Sequence, residues 1–414
     1  MTSFRSYWDL IRYNADFRRL YLARLVSFAG DWFLVVPLLG LVYEASDSAL
    51  AASAVLAAQA LPAALLAPIT GAVSDRFDRK KILIISDLLR AGLALSLLAV
   101  DAVGGVWFPL LIMLLEGAGA AFFYPASTGA LPNVVDEHEL PVATTLMSSA
   151  WGTMAAVGAA AGGVFATLVS RDAAFVLNAV SFVVSALLVA RVAQRLQATR
   201  KPIGGGERES NRDAFRYIFG HVRALALLSS KGVHSLTSGG AVALFALMSI
   251  TLFEAGDAGT GALFGARGLG NMIGPIVALA IVGRSAQRIF GSIGWAMTVW
   301  GAAYIFVGLS PTLLLAAAAV CVAHMGGGTQ FTFSTYGLQE LMPDDVRGRI
   351  FALDFGIDMM AISISALLLG ALAQTVAIRP LLVGLGVVAI VFGLAWTALT
   401  GPLWADLDTA PGET

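Results

Sequence analysis

At 414 residues the chain is 58% hydrophobic and only 13% charged, with a mean hydropathy of +0.80 and a net charge of −1. Soluble domains are about 45–50% apolar and about 25% charged, so a large soluble core is excluded. A single cysteine, Cys321, rules out an intramolecular disulfide.

From the N-terminus, Phe4, Tyr7, Trp8 and Ile11 fall near helical spacing with Arg5 and Arg12 among them, which predicts a short helix on the membrane interface. Arg18 and Arg19 precede an apolar run that carries Arg24 and Asp31 and continues to about Tyr43, a pattern unlike a cleaved signal. Apolar runs long enough to cross about 30 Å of hydrocarbon then recur along the chain. Spans are predicted near 20–43, 49–71, 82–100, 105–128, 141–167 and 172–190. A second set is predicted near 225–253, 259–283, 287–308, 312–334, 350–373 and 380–400. Twelve spans put both termini on one side.

Between the second and third spans lies Gly71-Ala72-Val73-Ser74-Asp75-Arg76-Phe77-Asp78-Arg79-Lys80, in which Asp75, Arg76, Asp78, Arg79 and Lys80 cluster. Such a connection cannot lie in hydrocarbon, so it marks a membrane face. About twenty Lys and Arg fall on that face, against Arg171 and Arg379 on the other, which predicts cytoplasmic termini. One connection on the basic face is acidic: Asp136, Glu137, His138 and Glu139. The one long polar stretch, 191–224, is broken by Pro202 and Gly204-Gly205-Gly206, with a short surface helix expected from Asn211 to Arg223. The expected organisation is an interfacial segment 1–19, a six-helix half 20–190, a linker 191–224, a second half 225–400 and a tail 401–414. Gly283-Arg284-Ser285-Ala286-Gln287-Arg288 echoes Gly71 to Arg76, and Asp344-Asp345 echoes the acidic connection, as internal repeats would.

Gly-x-x-x-Asp-Arg-x-x-Arg-Lys, the 6+6 pattern and the basic linker together resemble the major facilitator superfamily of transporters. Asn14-Ala15-Asp16-Phe17-Arg18-Arg19-Leu20 with Gly30-Asp31, Asp87-Leu88-Leu89-Arg90-Ala91, Pro125-Ala126 with Leu131-Pro132, and Val346-Arg347-Gly348-Arg349 are similar to its drug and siderophore efflux branch, which includes macrolide and enterobactin exporters. The chain departs from family patterns twice. Gly158-Ala159-Ala160-Ala161-Gly162-Gly163 lacks the proline of the antiporter pattern in helix 5, and helix 4 carries Glu116 where many proton-coupled members have an Arg. The resemblance implies an all-α membrane fold of twelve helices in two pseudo-symmetric halves. It also implies a cytoplasmic gate in which Gly71, Asp75, Arg76, Arg79 and Lys80 meet the start of helix 11 near Asp354.

Intramembrane charges are costly and face a cavity or one another. Asp31 and Arg24, at i and i+7, are expected to share one face of helix 1, with Asp31 taking a proton or a cationic substrate and Arg24 tuning it. Glu116 and Asp358 are further titratable candidates; the alternative for Asp354 and Asp358 is ion pairing with Arg347 and Arg349. Arg90, three residues after Asp87, is expected to stabilise the cytoplasmic end of helix 3. Trp32, Phe123, Tyr124, Met147, Trp151, Phe331, Tyr336 and Met359 are candidates for a cavity wall. Gly326-Gly327-Gly328 reads as a flexible or close-packed helix segment.

No metal-ligand spacing or nucleophile–base constellation is visible, so neither an enzyme nor a cofactor is expected. The expectation is a monomeric, inner-membrane, proton-coupled exporter of small amphipathic compounds by alternating access, with the lipid bilayer and protons as partners and no nucleic acid. Alternatives are a same-fold transporter of lysophospholipid or a nutrient, or a non-transporting membrane sensor. The spans hold few Asn and Gln, chiefly Gln59, Asn178, Asn271 and Gln330, which favours lipophilic cargo.

Overall fold

The computed structural model describes residues 4–136, 139–197, 220–283, 285–341, 344–405 and 407. Among these, 12 helices are long and apolar enough to cross a membrane. A short helix α1 (Phe4–Tyr13) comes first, with Trp8 and Tyr13 exposed as interfacial aromatics would be. The first set of spanning helices is α2 (Ala15–Ser46), α3 (Ala49–Arg76), α4 (Arg79–Ser96), α5 (Trp107–Gly129), α6 (Leu140–Leu168) and α7 (Arg171–Ala190). The second is α8 (Val222–Ala243), α9 (Gly256–Val282), α10 (Ala286–Gly291 with Ile293–Leu309), α11 (Leu313–Leu341), α12 (Asp344–Leu372) and α13 (Ile378–Trp404).

Polar residues at the junctions satisfy the backbone donors that helix starts leave open. Asn14 Oδ1 accepts from Phe17 N at 2.9 Å, Ser48 Oγ from Ala51 N at 3.2 Å, Asp78 Oδ1 from Lys80 N at 2.9 Å and Ser170 Oγ from Ala173 N at 3.1 Å. The basic connection is shorter than the sequence suggests: α3 continues to Arg76, so Gly71 is a mid-helix residue and only Phe77 and Asp78 form the turn. Its echo differs in kind, because Gly283, at φ 74°, itself ends α9.

The chain divides into two compact units, residues 1–204 with 255–265, and 205–254 with 266–414. Within each set, the first helix packs on the fifth and sixth, and the third on the fourth and sixth. This shared pairing is the internal repeat in three dimensions. The first turns of α9 group with unit 1, a departure from the expected halves with local causes. A Cβ on Gly163 would run into the Asp257 carbonyl, and Gly261 lies against Ala160 and Ala159. Arg171 Nε donates to Asp257 Oδ2 at 2.8 Å, and its Nη1 to Glu44 Oε2 at 2.6 Å.

Small residues set the helix spacing inside each unit. Gly158 and Gly162 of α6 lie on the Ala29 and Phe33 backbone of α2, and Gly117 of α5 lies on Gln59 of α3. In unit 2, Gly326, Gly327 and Gly328 bring α11 against Ala296, the His234 ring and Asn271 on three different helices. That segment is close-packed.

Candidate functional site

In unit 1, α2, α4, α5 and α7 converge on a buried polar cluster. The Arg90 guanidinium, 1% exposed, is ion-paired to Asp31 and lies 3.4 Å from Asp87 Oδ1. Its Nη1 also donates to Ser27 Oγ at 3.0 Å, and Ser27 in turn donates to Asp87 at 3.2 Å. The Phe182 ring covers the guanidinium at 4.1 Å. Two glycines make room: Gly119 for the Arg90 stem, and Gly30, beside Asp31, for the Asn178 and Ser181 side chains of α7. Glu116 is buried one turn before Gly119, whose backbone lies against the Arg90 stem, and its Oε1 has no hydrogen-bond partner. Two carboxylates therefore pair with one guanidinium, and a third is buried on the neighbouring helix.

This corrects two expectations from the sequence. Arg90 is the partner of Asp31 rather than a stabiliser of a helix end. Arg24 turns to α5, where it donates to Ser127 Oγ at 3.2 Å and Thr128 Oγ1 at 3.0 Å. Residues at i and i+7 share a face, but lie about 10 Å apart along the axis, so a neighbouring helix supplies the contact.

Unit 2 holds a second buried ion pair. Lys231 of α8 pairs with Asp354 of α12, and one turn on Ser235 donates to Asp358. The Lys231 ammonium lies 4.3 Å from the Phe331 ring centre. Asp354 is thus paired inside its own unit. The side chains of Arg347 and Arg349 lie outside the described ones. Lys231 is not among the candidates read from the sequence, although a Lys inside an apolar span is the same signal that flags Arg24. Nearby, His234 packs edge-on to Trp300, Trp300 stacks on Tyr304 at 4.1 Å, and the Tyr304 hydroxyl meets His324 Nε2 at 3.1 Å.

The expected gate residues bind within unit 1. Arg79 donates to the Gly129 carbonyl and, at 3.3 Å, to that of Ser74; Lys80 Nζ donates to Val192 O at 2.8 Å. Arg76 is exposed, and the Asp75 side chain lies outside the described ones. The Asn14–Arg19 motif has a structural role at the same end. Asp16 accepts from the backbone N of Ala193 at 3.0 Å and Gln194 at 2.9 Å, and Arg19 donates to Arg191 O at 2.8 Å.

Among the cavity candidates, Phe123 and Met147 are corrected: both sit in the closed apolar core of unit 1 with Phe17, Leu20 and Val189. Trp32 is buried against Phe264. Tyr124, Phe331 and Tyr336 are partly exposed and Met359 is half-buried, whereas the Trp151 side chain lies outside the described ones.

Twelve helices long and apolar enough to cross a membrane, in two repeat-related sixes with buried charges inside each, define a polytopic membrane protein. The Major Facilitator Superfamily model matches residues 20–357, and the chain belongs to that family. It is 25% identical to macrolide efflux protein A of Streptococcus pyogenes over 381 residues, 89% of this chain and 91% of that one. It is 28% identical to the uncharacterized MFS-type transporter YfiS of Bacillus subtilis (strain 168) over 181 residues, 44% of this chain; the match spans 43% of that relative's length. The fold is similar, at TM-score 0.74 and 13% identity over 100% of both chains, to a crystal structure of a bacterial homolog of the human lysosomal transporter Spinster in an inward-facing, unoccupied conformation. These relatives are transporters, not enzymes.

Proposed function

We propose that this transporter is a proton-coupled exporter of small amphipathic compounds such as drugs, antibiotics or siderophores. It works by alternating access in the cell membrane, with both termini in the cytoplasm. The observation that carries the coupling is the buried cluster in which Arg90 pairs with Asp31 and Asp87, with the buried acid Glu116 on the adjoining helix. Fully ionised, it would hold two negative charges in excess of its base. Each buried ion costs several kcal/mol, and intramembrane acids mark proton relays. Binding a proton there changes the charge the surrounding helices must accommodate. A ligand shifts a conformational equilibrium only by such differential stabilisation.

Export and cargo class are supported by the similarity to macrolide efflux protein A along most of the chain. The scarcity of Asn and Gln in the spans agrees with lipophilic cargo. Orientation rests on the Lys and Arg bias.

The test is purified protein in proteoliposomes with an imposed pH gradient and a panel of macrolides, other drugs and siderophores. Cargo movement should draw protons in the opposite direction, and Asp31→Asn should abolish the pH dependence. Absence of cargo-dependent proton movement for the whole panel overturns the antiport reading. Normal, pH-dependent export by Asp31→Asn removes Asp31 from it.

A further inference from the structure

A guanidinium or ammonium inside a membrane span is normally balanced by a carboxylate. Arg90 is balanced by Asp31 and Asp87, and Lys231 by Asp354. Arg24 differs. It is 1% exposed, and no carboxylate among the described residues pairs with it. Its partners are neutral: the hydroxyls of Ser127 and Thr128, the Phe28 ring at 5.2 Å and the Tyr124 ring at 4.7 Å. Its Nε has no hydrogen-bond partner. Aromatic faces and hydroxyls offset only part of the cost of burying a cation.

The internal repeat sharpens the contrast. Arg24 in α2 (from Ala15) and Lys231 in α8 (from Val222) each lie nine residues after the helix start, 24 − 15 and 231 − 222. Each lies over a ring of the fourth helix of its own set, Tyr124 in α5 and Phe331 in α11. In the second set the fifth helix, α12, supplies the counter-charge. In the first set the fifth helix is α6, whose sequence LPVATTLMSSAWGTMAAVGAAAGGVFATL contains no Asp or Glu. The chain thus neutralises one of two equivalent cations and leaves the other open.

We propose that Arg24 is the receptor for a single anionic group, a carboxylate carried by the amphipathic cargo; this rests on the export reading above. A guanidinium presents a planar fork that matches a carboxylate in two parallel hydrogen bonds. Ser127 and Thr128 can turn their hydroxyls to donate to the same group. Tyr124, 38% exposed, and the exposed Thr128 form the outer side of the site. Pro125 beside them lacks the amide that would bond Ala121, which loosens α5 at this point. Cargo with one carboxylate is therefore favoured over the same scaffold without it.

A matched probe pair tests this in purified protein: dansyl-phenylalanine, which carries a carboxylate, and its uncharged amide, both followed by dansyl fluorescence. Wild type should bind the acid at least tenfold more tightly than the amide. Arg24→Gln should remove the difference while leaving amide binding unchanged, and Arg24→Lys should keep part of it. No acid preference in wild type, or one that survives Arg24→Gln, overturns the proposal. Should Arg24→Gln not yield monodisperse protein, the Ser127→Ala/Thr128→Val double variant keeps the charge. It should weaken acid binding several-fold and spare the amide; unchanged acid binding overturns the proposal. Chloride that protects wild type, but not Arg24→Lys, against heat as well as the acid probe does would assign the site to a free inorganic anion, and overturn the cargo assignment. Failure of proton-coupled transport alongside an Arg24-dependent acid preference sinks the export reading and leaves the receptor standing.

Discussion

Arg90 is the residue on which unit 1's charge balance turns, because one side chain serves Asp31, Asp87 and Ser27. Removing one member of a buried pair strands the other and typically costs about 3–5 kcal/mol. Arg90→Gln is therefore expected to lower the thermal midpoint of the detergent-purified protein strongly. The Arg90→Gln/Asp31→Asn double variant should recover part of that loss, since it removes the stranded charge with the partner. Equal or worse stability of the double variant would show that a stranded Asp31 charge is not what destabilises the single one. Asp31, Arg24 and Glu116 could be singled out in the sequence, because a charge in a span is rare whatever it touches. Their pairing could not. Side chains seven residues apart on one helix share a face without meeting, and which helix comes alongside is decided by packing of the whole set. Lys231 could have been found on the same ground as Arg24, and Phe123 and Met147 could not have been told from cavity residues, since apolar side chains line cores and cavities alike.

Helix α6 shows how the elements are held at their spacing. Gly162 leaves no room for a Cβ against the Phe33 carbonyl of α2, whereas Gly152 on the same helix has open space around it. Gly162→Ala is expected to destabilise by about 1–3 kcal/mol, the usual cost of overpacking a tight contact. Gly152→Ala should be neutral or stabilising by up to about 1 kcal/mol through helix propensity. Thermal unfolding of the two variants in one detergent checks both, and a reversal of their order would remove the close-approach explanation. The basic connection makes a related point at its own scale. Its residue types mark a membrane face, but the turn is shorter than they suggest. A polar side chain that caps the next helix, here Asp78, sets the turn more firmly than a glycine five residues before the end of α3. Arg79 and Lys80 direct their donors to the carbonyls of Gly129 and Val192. Arg79→Ala should therefore loosen unit 1 itself, by about 1–2 kcal/mol for lost charge-assisted hydrogen bonds. Faster trypsin cleavage in the segment after α7 would report it, and an unchanged digestion pattern would contradict it.

For the whole molecule, span number and the division into sixes were readable because hydrophobic length and Lys and Arg bias are properties of composition. The proposed orientation predicts that a green fluorescent protein fused to the C-terminus fluoresces and that an alkaline phosphatase fused at the same place is inactive. The opposite pattern would overturn the orientation. What composition could not give is where the chain passes from one compact unit to the other. It does so after Gly204, again at Glu254 and again at Gly265. Eleven residues of unit 1, from Ala255 to Gly265, are thus encoded beyond the linker. A gene cut at the linker would yield a first fragment lacking one of the two carboxylate partners of Arg171, Asp257, and the backbone that Gly163 packs against. Such a fragment, expressed alone, is expected to be less stable than the same helices in the full chain, because part of unit 1 is translated only as the ribosome reaches residue 265.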